Sequence, residues 1–162
     1  MKRILLIILL LLAALSLTAC DWADSTPEGM HGILDDVAGF FGRSQITEED
    51  ELIGKRKLTY DAYTGSYAAE CKGNTGRDVI FGGGSILNKT LSLEGQIMTE
   101  SGSAVVRIRM NDEVVELKLD SDGRFDTELH LLSGGNYIMI DYSDFAGTIE
   151  LYSKYTDDPE HE

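Results

Sequence analysis

Hydrophobic and polar residues alternate along this chain in three different rhythms, and the changes of rhythm divide it. Ile4 to Leu15 is an unbroken apolar run of 12 residues behind Lys2 and Arg3. Asp21 to about Lys57 holds no sustained period, being polar and interrupted by Pro27, Gly29, Gly32 and Gly42. Between Gly32 and Gly42, however, Ile33, Leu34, Val37, Phe40 and Phe41 recur at helical spacing, which predicts a short helix over 32–42. Thr47-Glu48-Glu49-Asp50 suits a further capped turn, ended by Gly54 and Lys55-Arg56-Lys57. From Leu58 onward the period becomes two, the rhythm of strands.

The period-two stretches are Tyr67–Cys71, Asp78–Leu87, Leu91–Thr99, Ala104–Met110, Glu113–Asp120, Arg124–Leu132, Asn136–Tyr142 and Thr148–Tyr155. Turn signals separate them at Gly82-Gly83-Gly84, Glu100-Ser101-Gly102, Asn111-Asp112, Ser121-Asp122-Gly123 and Ser133-Gly134-Gly135. The pattern predicts an all-β fold, an antiparallel β-sandwich of about eight strands over 58–155, with an acidic tail at 156–162. A two-residue loop at Asn111-Asp112 sets Met110 against Glu113, Ile108 against Val115, Val106 against Leu117 and Ala104 against Leu119 on one apolar face. Arg107 then meets Glu116 on the other, and a slip of one residue would set arginines against apolar neighbours. Ser121-Asp122-Gly123 likewise predicts a three-residue loop that sets Leu119 against Phe125, Lys118 against Asp126 and Val115 against Leu129.

The leader changes the picture of where the chain sits. Ile4 to Ala19 would make about 24 Å of helix at ~1.5 Å per residue, short of the ~30 Å hydrocarbon core, so it does not read as a membrane span. A basic start, an apolar run and small residues read instead as a signal peptide over 1–19. Leu17-Thr18-Ala19-Cys20 resembles the lipobox of bacterial lipoproteins. That resemblance implies cleavage before Cys20, a diacylglycerol on its thiol, and a lipid anchor on the extracytoplasmic face of a cell membrane. Residues 20–57 then form the lipidated cysteine and a tether. Two acyl chains hold a protein stably on a bilayer, at ~0.8 kcal/mol per buried CH₂.

Charge excludes one class of partner. Without the leader the chain keeps 12 basic and 28 acidic residues, a formal net charge of −16. It is not built to neutralise phosphates, so no nucleic-acid partner is expected. An envelope protein or a polysaccharide fits the location better. If Cys20 carries lipid, Cys71 has no disulfide partner, and its alternation with Tyr67 and Ala69 makes it a small buried hydrophobe.

Few residues suggest chemistry. Asp120-Ser121-Asp122-Gly123 resembles the start of an EF-hand loop. The register, however, puts Lys118 and Leu129 at its first and last ligand positions. A looser Ca²⁺ site at Asp120 and Asp122 competes there with a plain hairpin turn. His31, His130 and His161 are too scattered to converge on a metal, and His130 alternates with Asp126 and Glu128 on a polar face. No nucleophile elbow, zinc motif or phosphate-loop context occurs, since an extended segment follows Phe81-Gly82-Gly83-Gly84-Ser85, which reads as a bulge or strand crossing. No cofactor and no enzymatic activity are expected. Tyr137 and Met139 share a face, with Tyr152 near them on a neighbouring strand, which leaves sugar stacking open beside ordinary packing.

Leu91 to Leu151 resembles prealbumin-like or carboxypeptidase-regulatory β modules. Gly95 before a turn, Asp120-Ser121-Asp122-Gly123-Arg124-Phe125 and Gly135-Asn136-Tyr137 carry the likeness. A jelly-roll sandwich, as in many carbohydrate-binding modules, is equally admissible for the segment from Tyr60. The expectation is therefore a non-enzymatic interaction or ligand-binding sandwich on a lipid tether. A carbohydrate-binding accessory module is the alternative, and a hydrolase with scattered acidic residues a more distant one.

Overall fold

The computed structural model describes residues 45–156, and Cys20, the 32–42 helix, His31, His161 and the acidic tail beyond Thr156 lie outside them. Six antiparallel strands make up the domain: β1 (Lys55–Leu58), β2 (Gly65–Ser85), β3 (Lys89–Met110), β4 (Glu113–Glu116), β5 (Arg124–Leu131) and β6 (Gly134–Tyr155). They hydrogen-bond in the order β1-β2-β6-β3-β4, with β5 also on β3.

Three of these strands are 21 or 22 residues long and fold back on themselves. Tyr67 and Asp78 lie 11 residues apart on β2, about 36 Å of straight strand at ~3.3 Å per residue, yet the Tyr67 hydroxyl donates to the Asp78 carboxylate. The bend falls at one level in all three. β2 breaks register at Lys72/Asn74 and Asn74/Gly76, β3 at Thr99/Ser101 and Ser101/Ser103. Gly73, Gly102 and, on β6, Asp144 supply positive φ there. Each long strand thus contributes half to one layer and half to the other. The first layer runs β1, β2 (65–72), β6 (147–155), β3 (89–99), β5; the second runs β2 (76–85), β6 (134–142), β3 (103–110), β4.

The fold class is as the sequence indicates, an antiparallel β-sandwich, but with six strands rather than about eight. Glu100-Ser101-Gly102 is not a turn between strands but the corner of β3, and the pairs of stretches flanking each corner are single strands. Inward residues alternate on both layers: Leu91, Leu93 and Ile97 on β3, Ile138, Ile140, Ile149 and Leu151 on β6, Tyr67, Ala69 and Cys71 on β2, all buried in one cluster.

The first predicted hairpin holds next to its turn but ends at Arg107 and Glu116, so Ala104 and Leu119 do not pair. Arg107 pairs with Glu116, Ile108 with Val115 and Met110 with Glu113, around Asn111 at φ 55°. The second does not. Gly123 takes the left-handed conformation, and the Gly123 amide donates to the Asp120 carbonyl at 3.1 Å. β5 nevertheless pairs with β3, Phe125 against Gly95 and Leu129 against Leu91, rather than with β4. Residues 117–123 cross from the second layer to the first, because β3's own corner carries its free edge there. On that edge Phe125 and Leu131 become buried in the first layer. Along β4 and the start of the crossing segment the cost is visible: Val115 and Leu119, expected on the buried face, are exposed and Leu117 is only partly buried. Gly95 lies inside β3, where a Cβ would meet the Glu150 carbonyl and the Phe125 ring, so it does not precede a turn.

Residues 45–57, assigned to the tether by their texture, are docked on the sandwich. The Thr47 amide donates to the Val79 carbonyl at 3.1 Å and its hydroxyl accepts from the Val79 amide at 2.8 Å, which covers the open edge of β2 in the second layer. Arg56, on β1, donates to the carbonyls of Ile80 at 2.8 Å and Thr47 at 2.8 Å and pairs with Glu49 at 2.7 Å.

Candidate functional site

An open groove of about 810 Å³ lies on the outer face of the first layer. Period two sets its floor, since the residues between the buried ones point out: Glu94 and Gln96 from β3, Asp126 from β5, Glu150 and Tyr152 from β6. Its wall is the crossing segment, with Lys118, Leu119 and Asp120. Two bonds fix that wall to β3: the Ile97 amide to the Gly123 carbonyl at 2.8 Å, and the Gln96 side-chain amide to the Asp122 carbonyl at 3.0 Å. Had β5 paired with β4, this groove would not exist.

The Tyr152 side chain is 49% exposed in the groove and stands directly across from Glu94, whose other neighbour is Asp126. Two carboxylates facing each other across a ladder are unfavourable on their own. Among the described residues, Glu94, Asp126 and Glu150 enter no ion pair and no side-chain hydrogen bond. Their oxygens therefore remain available as acceptors around one aromatic ring. Alternation marks Glu150 and Tyr152 as outward in the sequence, but only the β6–β3–β5 order, set by the corner, brings them beside Glu94 and Asp126.

The residues singled out by sequence fare differently. Asp120 accepts from the amides of Asp122 at 2.9 Å and Arg124 at 2.8 Å, so one of its oxygens is occupied in shaping the turn. Among the described residues no three His, Cys, Asp or Glu side chains converge to hold a metal, and a Ca²⁺ site at Asp120 and Asp122 has no support. His130 is exposed beside Glu128, at 3.2 Å. Gly82 lies against the Asn136 carbonyl, next to a register shift between Val79 and Phe81, which is the bulge expected of Phe81-Gly82-Gly83-Gly84-Ser85. Tyr137 and Met139 do share a face, but Tyr152 is on the same strand past the corner, on the outer face of the opposite layer.

Two further polar assemblies escaped the sequence reading, apart from the Arg107–Glu116 pair within the first. On the outer face of the second layer, Arg77 and Arg107 both hold Asp141, and Arg107 also holds Glu116 at 2.6 Å. The hydrogen bond from Arg77 keeps the Asp141 carboxyl below its ordinary range, against the opposing effect of burial. Between the layers, Asp78 is 1% exposed and accepts from the amide of Ile53 at 3.0 Å and from the Tyr67 hydroxyl, which also meets that of Tyr142 at 2.7 Å. Burial first, then the bond to Asp78, raises the Tyr67 phenol far above its usual value. Burial likewise raises Tyr142, so both stay neutral. Cys71, 4% exposed, is pushed up by burial and then by the Asp78 charge. A thiol so held is a poor nucleophile.

No family model and no curated protein matches this sequence. Among solved structures, the chain is similar to a carbohydrate-binding module from Cellvibrio mixtus lichenase 5A in complex with cellotriose. That match has 7% identity and a TM-score of 0.35, over 72% of this chain and 95% of the module. It is also similar to the capsular polysaccharide assembling protein CapF from Staphylococcus aureus, at 15% identity and a TM-score of 0.29, over 65% of this chain and 32% of CapF. A Podospora anserina β-(1,4)-mannanase matches at 16% identity and a TM-score of 0.29, over 67% of this chain and 26% of the enzyme.

Proposed function

We propose that this chain is a lipid-anchored, non-enzymatic binding protein on the extracytoplasmic face of a cell membrane, and that its groove takes a polysaccharide. The observation that carries the ligand class is Tyr152, half exposed on a floor of carboxylates that no protein group occupies. A pyranose presents an apolar face of C–H bonds to such a ring while its hydroxyls donate sideways to Glu94, Asp126 and Glu150. A shallow open groove suits a chain lying across it. Four carboxylates against Lys118 and Arg124 make its lining net acidic, which disfavours anionic polymers and leaves neutral glycans as the fitting class.

Tyr152→Ala is expected to weaken binding of a neutral β-glucan or mannan about tenfold, the equivalent of ~1.4 kcal/mol, with the unfolding midpoint nearly unchanged. Affinity electrophoresis in polysaccharide gels checks it; equal retardation of both proteins would remove the groove from the reading. The anchor rests on Leu17-Thr18-Ala19-Cys20 behind an apolar leader. Cys20→Ala should abolish incorporation of labelled palmitate and leave the leader uncleaved. Labelling that survives the substitution would refute the anchor.

A further inference from the structure

A second cavity, about 530 Å³, opens on the outer face of the second layer, past the corner from the groove. Gln45, Arg109, Asn111, Asp112, Gly135 and Tyr137 line it. Arg109 sits on β3 directly across from Tyr137 on β6, and its guanidinium carbon is 4.4 Å from the centre of the tyrosine ring. That stacking fixes the plane of the guanidinium. The rim is fixed too. Asn111 accepts from the Gly135 amide at 3.0 Å and donates to the Ser133 carbonyl at 3.3 Å, so its side chain is already engaged.

Arg109 differs from the other partly buried arginines. Arg56 and Arg107 each hold a carboxylate. Among the described residues Arg109 holds none: Nη2 donates to the side-chain oxygen of Gln45, and Nε is buried with no partner. An unpaired buried donor is unfavourable, more so on a charged group. Nε and Nη2 lie along one edge of the guanidinium and point the same way, the edge that a carboxylate takes with two parallel hydrogen bonds. Here one neutral amide oxygen meets that edge and satisfies half of it.

We propose that this edge of Arg109 is a carboxylate-binding site, and that Gln45 holds the place of one carboxylate oxygen until a ligand displaces it. Asp112 on the rim selects against a second negative charge, so a singly charged carboxylate fits where a phosphate dianion is repelled. The ligand class is an organic monocarboxylate, whether free or carried on a larger molecule, and the site is independent of the groove at Tyr152.

The test uses the full-length chain in detergent micelles, uniformly labelled with ¹⁵N, at constant ionic strength. Acetate is titrated against chloride while the backbone amide resonance of Gly135, which lines the cavity and is present in every variant, is followed. A saturable shift is expected, at least tenfold weaker in Arg109→Lys, which cannot make the paired contact, and several-fold tighter in Gln45→Ala, which removes the competing amide. Inorganic phosphate at pH 8 should shift the same resonance less. No saturable shift in the unsubstituted or the Gln45→Ala chain would overturn the site. Phosphate binding as tightly as acetate would overturn the monocarboxylate assignment. Arg109→Lys binding acetate undiminished would show that the guanidinium edge is not what recognises it.

Discussion

Asp78→Ala is expected to lose about 3–5 kcal/mol of stability, the more severe because the lost carboxylate serves several donors at once. It accepts from the Ile53 amide and the Tyr67 hydroxyl, and Tyr67 in turn meets Tyr142. Removing a shared acceptor leaves each buried donor with a desolvation cost of ~1–3 kcal/mol. Asp78→Asn, which keeps the volume and one acceptor oxygen, should lose less. Urea denaturation measures both. The thiol of Cys71 supplies an independent readout, since it shares this interior and is 4% exposed. It should react slowly with a thiol reagent in the unsubstituted protein and markedly faster in Asp78→Ala. If Asp78→Ala cost under ~1 kcal/mol and left Cys71 protected, residues 45–54 would be held by Thr47 and Arg56 instead.

Burial parity was legible along the long strands, though not along β4, because it depends only on neighbours two residues apart. The Arg107–Glu116 pairing, the buried face of Tyr67, Ala69 and Cys71, and the left-handed Gly123 all follow from such local rules. The corners were not legible. Glu100-Ser101-Gly102 has turn composition, and a bulge that bends a strand uses the same residues as a turn that ends one. From that one ambiguity came both the excess strands and the β4–β5 pairing, because a straight β3 offers β5 no free edge in another layer. The groove was lost with it: Tyr152 could be read as outward, but not as the neighbour of Glu94. Likewise Asp78 is one carboxylate among 28 acidic residues until the fold-back brings Tyr67 to it.

Phe145→Ala tests the corner itself and is expected to cost about 3–5 kcal/mol, the range for emptying a fully buried phenylalanine site. Phe145 is 0% exposed, pairs with Asn74 on β2, and sits 6.0 Å from the Tyr142 ring at the level where all three long strands bend. A Cβ on Gly147 would come within 3.0 Å of its ring tip, so the backbone closes tightly around it. Tight closure on several sides limits collapse into the vacated space, which places the loss in the upper part of that range. Met98→Ala is the control: it too lies near the bend, on β3, but is 55% exposed and should change stability by about 0.5 kcal/mol or less. Guanidinium denaturation of both variants measures the contrast. If the two losses matched, the bend would be held by the positive φ of Gly73, Gly102 and Asp144 alone. The two layers would then meet because the backbone turns them together, not because an aromatic ring fills the space between.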